Sequence, residues 1–370
     1  MSQIDCIKTL RAALPKEAFV PDSNKLIILL INLLILFSGW TIARELDQWS
    51  ILWLWLYLPL AIVMGNSVIV LLFTSHDLLH GSVIKNPRLA HFIGLMGLAL
   101  LWMPPTLWKI IHNQKHHNQT NSLDDPDRSY LFHQAKTWGK WIQNLVVPSA
   151  EVNSFCLALG MCSAWGTHTF RHLTSILVFN NSLFNSHAAL SYGPTSVATS
   201  SHKRRLIAAE LLLIASIHLS ILAYLKFQIL AVLLGYFLPL WIGYAGVMFY
   251  IYTNHLLCPL TELNDPLSNS LSIRVPKFFD LLHFNFSYHT EHHFFPSLNS
   301  DYYPIVQELL QTHYPDRFNL LTAAEAWQSL MQTPRHYQDA QTLTDWSGKK
   351  SVSCPCNPRV APLQHFAIKE

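Results

Sequence analysis

Histidines are crowded into three short windows of this chain. The windows are His76–His80 (HDLLH), His112–His117 (HNQKHH) and His289–His293 (HTEHH), and together they hold eight of the 20 histidines. They comprise only 16 of 370 residues, so an even spread would place about one histidine in them. Neutral imidazole is a good ligand for zinc, copper, iron and nickel, so this crowding predicts a metal site.

The spacing inside each window adds a geometric argument. Residues three and four positions apart lie on one face of an α-helix. We therefore expect His76 to point the same way as His80, and His112 the same way as His116. In the third window the expected set is His289, His292 and His293. Because one structural or catalytic ion takes three or four protein ligands, eight converging imidazoles predict two metal ions.

Apolar helices must position these windows. Of all residues, 51% are hydrophobic and only 13% are charged, about half the charged fraction of an ordinary soluble domain. A helix needs about 20 apolar residues to cross a bilayer. Four runs predict transmembrane helices: Leu26–Ala43, Ile51–Phe73, Leu206–Tyr224 and Ile229–Thr253. Short connections make each successive pair an antiparallel hairpin, and the predicted fold class is all-α and integral to the membrane.

The distribution of cations predicts which side of the membrane each loop occupies. With the N-terminus inside, the two short outer loops hold only Arg44 and Lys226, and the other 23 of 25 Lys and Arg lie on the inner side. Cytoplasmic loops concentrate Lys and Arg, so both termini and all three histidine windows are expected on the cytoplasmic side. Leu89–Pro104 is too short to cross before Pro104-Pro105, so we expect a re-entrant or interfacial segment.

Three domains are expected along the chain. Residues 1–25 are predicted to be a cytoplasmic N-terminal segment, and residues 26–315 a membrane domain that holds the dimetal site. Residues 316–370 are predicted to be a C-terminal helical segment that ends in a loose tail from residue 347.

Composition also excludes several classes of function. A net charge of +3 without a basic stripe argues against a nucleic-acid partner, and six scattered cysteines argue against a disulfide scaffold.

A membrane metal transporter is less favoured, because its ligands should lie near the bilayer midplane and not beyond the ends of the spans. A two-metal centre that faces the membrane favours oxygen chemistry on a hydrophobic substrate, with iron as the preferred metal.

The three windows resemble the histidine boxes of the membrane fatty acid desaturase superfamily. HDLLH, HNQKHH and HTEHH match its pattern, as do DDPD at 124–127 and YHTEHHFFPSL at 288–298. The resemblance covers roughly residues 50–315. It implies a four-helix membrane protein with a cytoplasmic cap, two iron ions, and the use of O2 with two electrons. The metal ligands it implies are His76, His80, His112, His116, His117, His289, His292 and His293.

Further site residues are expected around these boxes. The resemblance implies a ninth ligand at the end of the fourth span, His255, and the amides of Asn254 and Asn285 are candidates for holding a water on iron. Histidine ligands commonly donate their second ring N–H to a carboxylate. The candidate carboxylates are Asp77, Asp124, Asp125, Asp127 and Glu291. A hydrophobic tunnel for the substrate is expected to be lined by Trp102, Thr106, Leu107 and Trp108.

Other polar residues are given smaller roles. His283 is a possible additional member of the site. Glu210 and His218, inside the third span, are expected either to pair with polar groups or to extend towards the membrane surface, without a catalytic role. The remaining histidines are treated as surface or packing residues, for example His91, His168, His172 and His187.

The expected reaction is O2-dependent introduction of a cis double bond into a fatty acyl chain. A related diiron lipid hydroxylase, or a carotenoid ketolase or hydroxylase, is the alternative, because these enzymes carry similar boxes. The acyl group can be on a membrane lipid, a carrier protein or coenzyme A. Electrons are expected from a separate donor protein, either ferredoxin or cytochrome b5.

Overall fold

The computed structural model describes residues 3–128, 145–177, 199–334 and 336–356. His187 and residues 357–370 of the predicted tail lie outside these ranges. The longer helices are α1 (Gln3–Ala13), α2 (Lys25–Ala43), α3 (Tyr57–His80), α4 (Pro87–Leu98), α5 (Pro105–Gln119), α6 (Ser154–Leu177), α7 (Ser201–Tyr224), α8 (Ala231–His255), α9 (Pro266–Asn269), α10 (Lys277–Leu282), α11 (His289–Phe294), α12 (Tyr303–His313) and α13 (Ala323–Gln332). The strands are β1 (Ser272–Arg274), β2 (Leu320–Thr322), β3 (His336–Tyr337), β4 (Thr342–Thr344) and β5 (Ser351–Ser353).

Four helices are long and apolar enough to cross a membrane. They are α2, α3 with the 3₁₀ turn before it, α7 and α8. The first three contain the corresponding predicted apolar runs, and α8 begins two residues after the start of the fourth. The prediction of an all-α membrane fold with four spans is therefore confirmed. Both α5 and α8 contain π-helical turns, at Lys109–His116 and Ala231–Phe237.

Close approach of backbones holds α2, α3 and α8 together. At Gly39 in α2 an added Cβ would lie 2.2 Å from Sδ of Met64 in α3. At Gly243 in α8 an added Cβ would lie 2.6 Å from Cβ of Val68 in α3. Small residues let helices in lipid pack closely enough for dispersion contacts to stabilise the bundle. These contacts bring the carboxyl ends of α3 and α8, and hence the first histidine box and His255, to the same end of the bundle.

Helix α3 runs antiparallel to α2, as the short connection predicts. Nζ of Lys25, at the start of α2, lies 2.7 Å from Oδ2 of Asp77 near the end of α3. It also donates to Oγ of Ser300, at 2.6 Å. Lys25 is only 2% exposed, so this buried ion pair ties the beginning of the first span to the histidine-bearing end of the second.

The predicted re-entrant segment is a sharp bend between two helices. The helical segments Pro87–Leu101 and Pro105–Gln119 meet at an angle of 97°. Glu210 of α7 stabilises the start of α5, because its carboxylate accepts from the backbone N–H of Thr106 at 3.1 Å and from its hydroxyl at 2.6 Å. His91 of α4 lies 2.8 Å from the same carboxylate. The expected polar partners of the intramembrane Glu210 are thus Thr106 and His91.

The other ionisable residue of the third span has partners too. His218 Nε2 donates to the carbonyl oxygen of Ala99 at 3.0 Å, and the hydroxyl of Tyr236 donates to Nδ1 at 2.6 Å. The ring of Trp102 stacks on His218 with 4.1 Å between the ring centroids. His218 is therefore a packed, hydrogen-bonded residue, as expected.

Short elements from the second half of the chain cover the histidine-bearing ends of the spans. Strand β1 pairs in parallel with β2, and α11 lies between the segment that contains β1 and helix α12. Helix α1 packs against α12 through a separate apolar cluster that includes Leu10 and Val306. This cover holds the third histidine box against the first two.

The predicted loose tail is wrong for residues 347–356. Strand β5 lies in an antiparallel sheet of order β3-β4-β5, with Thr342 paired to Ser353. The backbone N–H of Cys356 donates to the carbonyl oxygen of Leu257 at 3.0 Å, which fastens this segment just beyond α8. The polar composition of the segment did not predict this sheet, because its hydrogen bonds join only short strands to one another.

Candidate metal centre

All nine predicted histidine ligands come together at one end of the bundle. Their ring nitrogens form two adjoining groups, and within each group the nitrogens lie within 4.8 Å of one another. The first group is His76, His80, His112, His117 and His292. The second group is His116, His255, His289 and His293. The rings of His117 and His293 are 4.5 Å apart, so the two groups are neighbours. The arrangement suits two metal ions side by side.

The second box follows the predicted helical spacing only in part. The rings of His112 and His116 stack with 5.3 Å between centroids, and both lie near Asp127, but the two histidines belong to different ones of the two larger groups. The reason is that Lys109–His116 forms a π-helix, in which the hydrogen bonds join residues five positions apart and not four. This geometry aligns His112 with His117, whose Nε2 atoms are 3.2 Å apart. A wider helical turn therefore lets one box contribute to both groups.

The third box is also divided between the groups. His289 and His293 are four residues apart in α11 and face the same group, with 3.1 Å between their Nε2 atoms. His292 faces the other group, and its Nε2 lies 3.1 Å from Nε2 of His117. The prediction that all three point the same way is wrong. Only the first box, His76 and His80, contributes to a single group as expected.

The distances between ring nitrogens fit shared metal ligands. Nε2 of His289 is 2.7 Å from Nε2 of His255, and the other three such pairs are 3.1–3.2 Å apart. With metal–nitrogen bonds of about 2.0–2.1 Å, two ligand nitrogens lie about 2.9–3.4 Å apart. In addition, within the described parts of the chain, the buried Nε2 atoms of His76 and His80 have no hydrogen-bond partner. A buried polar atom without a partner is costly, and a metal ion would remove that cost.

Burial keeps the histidines of the third box in the form that binds metals. Desolvation and the neighbouring imidazoles hold the pKa of His289, His292 and His293 well below the ordinary value of 6.5. These rings are therefore neutral near pH 7 and have a lone pair available. Metal ligands of this type must be neutral.

Five of the nine histidines have their Nδ1 atom oriented by a neighbour. His76 lies 3.1 Å from Oδ1 of Asp77, and His116 lies 3.1 Å from both carboxylate oxygens of Asp125. These two carboxylates were predicted for this role. The other three partners are Asn269 O with His255 at 3.1 Å, Tyr303 Oη with His292 at 3.0 Å, and Thr120 Oγ1 with His293 at 3.3 Å. Each contact leaves Nε2 to face the group.

The sequence did not predict the contacts of Tyr303, Thr120 and Asn269, because only carboxylates were expected as partners of the histidines. The partners here are two hydroxyls and a backbone carbonyl. Their positions in the chain carry no local signal, since Tyr303 and Asn269 lie 11 and 14 residues from the histidines that they contact, and Thr120 lies 173 residues away. Only folding brings them together.

Two of the predicted carboxylates do not contact a histidine. Glu291 lies in the third box, but its buried carboxylate accepts from Ser272 Oγ at 2.5 Å and from Gln307 Nε2 at 2.8 Å. Burial raises the pKa of Glu291 to about 7. Asp124 is exposed on the surface. The role predicted for these two carboxylates is wrong, because Glu291 points from α11 towards α12 and the Asp124 side chain points to solvent.

Asp127 lies between the second box and helix α6. One of its oxygens is 3.6 Å from Nδ1 of His112, and the other is 2.8 Å from Nε2 of His172 and 3.6 Å from Nε2 of His168. His168 and His172 are buried and were treated as packing residues. Their spacing of four residues is the same signal as in the boxes, and it would have drawn attention to them.

Three further candidates for the site lie outside the boxes and have different surroundings, namely Asn254, Asn285 and His283. Asn254 is fully buried beside His255, and across the part of the chain that the structure describes neither side-chain amide atom has a hydrogen-bond partner. Asn285 instead donates to the carbonyl oxygen of Ser300 at 2.9 Å. His283 contacts Asn66 and Tyr250. Asn254 therefore keeps its candidate role, and Asn285 and His283 have other partners.

A cavity with a mainly apolar surface adjoins both groups of histidines, and Asp125, Asp127 and Arg128 are among its polar lining residues. Its wall includes Leu72, Trp108, Ile251 and Phe286, and the histidines that face it are His112, His116, His255 and His289. Of the four predicted tunnel residues, Trp108 alone lines this cavity. Trp102 stacks on His218 and Thr106 bonds to Glu210, as described above, and Leu107 is fully buried. These three side chains were placed in the tunnel because of their position before the box, but the bend at Trp102 points them elsewhere.

One family of known proteins matches most of this chain. The model of the family described as "Fatty acid desaturase" matches residues 53–322. A search of curated proteins finds no match. The matched range contains all three histidine boxes, His255 and the apolar cavity, and it covers well over half of the chain. The protein therefore belongs to the fatty acid desaturase family.

Proposed function

We propose that this protein introduces a cis double bond into a fatty acyl chain, using O2 and two electrons. The observation that carries the proposal is the juxtaposition of nine histidines in two adjoining groups with an apolar cavity. A metal centre at the wall of an apolar cavity fits oxidation of a hydrocarbon chain. Membership of the fatty acid desaturase family supports the same substrate class.

Two iron ions are the proposed cofactor. One would be held by the group that contains His76 and His80, and the other by the group that contains His255 and His289. All-imidazole donor sets suit iron among other metals, and non-haem iron is one of the cofactors that activate O2. When bound, the pair supplies the oxidation of an unactivated CH2–CH2 unit to a double bond.

The side chains of the protein provide position and dryness. The Nδ1 contacts of His76, His116 and His292 fix each ring so that Nε2 faces its group. The buried amide of Asn254 is proposed to hold a water molecule beside the site. Leu72, Ile251 and Phe286 form an apolar wall that holds the acyl chain and excludes bulk water.

The orientation in the membrane and the electron source are also proposals. The excess of Lys and Arg at the histidine-bearing ends of the spans supports a cytoplasmic site. On that side a soluble donor, ferredoxin or cytochrome b5, can reach the protein. A polar opening beside His80, His117 and His293, which is lined also by Asn113 and Asn264, supports approach from the aqueous side.

Expression in a host that lacks its own desaturase tests the reaction. With O2 and an active electron donor, mass spectrometry of total fatty acids should show chains that are lighter by two hydrogens. The purified protein should contain two iron ions per chain. Chains heavier by one oxygen would indicate the hydroxylase alternative, and an unchanged profile with an iron-loaded protein would contradict the proposal.

A further inference from the structure

A loop between the fourth span and the third histidine box carries an exposed apolar helix. The loop, residues 274–287, is closed at its base by a hydrogen bond from the backbone N–H of Ile273 to the carbonyl oxygen of Ser287, at 3.0 Å. Helix α10 lies in this loop. Its large exposed side chains are Phe278 (63%), Phe279 (42%) and Leu281 (77%). Exposure of three large apolar side chains on one short helix marks a surface that meets another apolar phase.

The position of His283 places this loop beside the spans. Its Nε2 donates to Oδ1 of Asn66 in α3 at 3.0 Å, and the hydroxyl of Tyr250 in α8 donates to its Nδ1 at 2.9 Å. Asn66 precedes His76 by ten residues, which is about 15 Å along the helix towards the middle of the span. The loop therefore extends along α3 away from the metal centre and from the short elements that cover it. It reaches a level at which the spans contact lipid.

The chemistry of the loop fits the near leaflet of a bilayer. At the level of Asn66 the neighbouring surface of α3 is itself apolar and exposed, as at Ile62 and Val63. The exposed cations Arg274 and Lys277 precede the apolar side chains of α10, and the acid of this helix, Asp280, accepts a hydrogen bond from Oγ of Ser287. Lys and Arg near a membrane surface are attracted to lipid phosphates, and apolar side chains enter the acyl region. The occupant of this surface is thus the lipid, continuous with the lipid-facing surface of the spans.

Aromatic contacts connect the loop to the apolar cavity. The rings of His283 and Phe73 are 5.6 Å apart, and Phe73 stacks on Phe286 with 3.9 Å between centroids. Phe286 is the last aromatic residue of the loop and lines the cavity next to Leu72 and His289. The wall of the cavity and the lipid-facing helix are therefore parts of one short segment.

We propose that residues 274–287 are embedded in the near leaflet and cover a lateral path from the bilayer to the metal centre. The path runs past Phe73 and Phe286, which connect His283 to the cavity, and His283 is held by Asn66 of α3 and Tyr250 of α8. The substrate class that fits is an acyl chain anchored in the membrane, as in a glycerolipid. The path and its acyl substrate rest on the proposed function.

Spin labelling of the full-length protein tests the depth of the loop. In a Cys156→Ser, Cys162→Ser background, Leu281→Cys would be labelled in vesicles of phosphatidylcholine and phosphatidylglycerol. The matched control is Leu263→Cys, at an equally exposed leucine (83%) beside Asn264 in the polar opening. The label at 281 should be relaxed by O2 and protected from a water-soluble nickel chelate, and the label at 263 the reverse. Equal nickel accessibility at both positions would overturn the proposal.

Activity of a second pair of variants tests the path. Leu281→Asp should lower turnover of vesicle-borne acyl chains by about tenfold, since a carboxylate is costly at membrane depth, with two iron ions still bound. Val20→Asp, at an exposed residue before the first span that lies outside the loop and the polar opening, should leave turnover unchanged. Full turnover in Leu281→Asp would overturn the path. If the wild-type protein forms no double bond while the 281 label is protected from nickel, the embedded loop is supported and the proposed function fails.

Discussion

The hydroxyl of Tyr303 offers a sharp test of the proposed metal centre. Tyr303 is 3% exposed, and its Oη lies 3.0 Å from Nδ1 of His292. Tyr303→Phe removes this one oxygen and keeps the ring. Loss of a residue that orients a histidine ligand typically costs 10–100-fold in metal affinity. Because the hydroxyl is a neutral acceptor, we expect the lower end, about tenfold, which corresponds to about 1.4 kcal/mol.

The assay is competition for iron between the full-length protein and a chromophoric chelator. Tyr302→Phe is the control, because Tyr302 precedes Tyr303 in the chain and has no contact with a histidine ring among the described residues. The Tyr303 variant should lose one of two iron ions at about tenfold lower chelator concentration than the control. If both variants hold iron equally tightly, His292 is not oriented through Tyr303, and the assignment of His292 Nε2 to the metal loses its support.

Three further substitutions probe the site and its supports. His292→Ala should abolish turnover while the protein stays in the membrane fraction, and retained turnover would contradict the ligand assignment. Lys25→Met leaves the carboxylate of Asp77 buried without its cation, so it should destabilise the protein by about 3–5 kcal/mol in denaturant unfolding. The double variant Lys25→Met/Asp77→Asn should recover most of this loss. Equal instability of the single and double variants would argue against the ion pair. Glu210→Ala leaves the N–H and hydroxyl of Thr106 without their acceptor, so it should lower stability by about 1–3 kcal/mol, and Glu210→Gln by less. Equal stability of all three Glu210 forms would refute that role.

The four spans were predictable because their signal is local. A run of about 20 uncharged apolar residues is stable only in lipid, whatever the rest of the chain does. The same holds for the sharp bend between α4 and α5, since Pro104-Pro105 cannot continue a helix. The sheet at residues 336–356 was not predictable in this way, because its strands are two or three residues long and are stabilised by pairing with one another.

The histidines of the site were predictable as a set but not in their grouping. Their number and spacing stand out against the composition, and the resemblance to the desaturase family added His255 at the end of the fourth span. The division of the second box between two groups depends on the π-helix at Lys109–His116, a geometry that the spacing of its histidines does not predict.

By itself the sequence determined that this protein crosses a membrane and gathers imidazoles at the ends of its spans, because hydropathy and ligand chemistry are properties of short segments. Tertiary structure alone decided which imidazoles face one another and which neighbours orient them. Contacts such as Thr120 with His293 and Lys25 with Asp77 join segments 173 and 52 residues apart. Such contacts depend on how the helices pack, and no local pattern of residues records that packing.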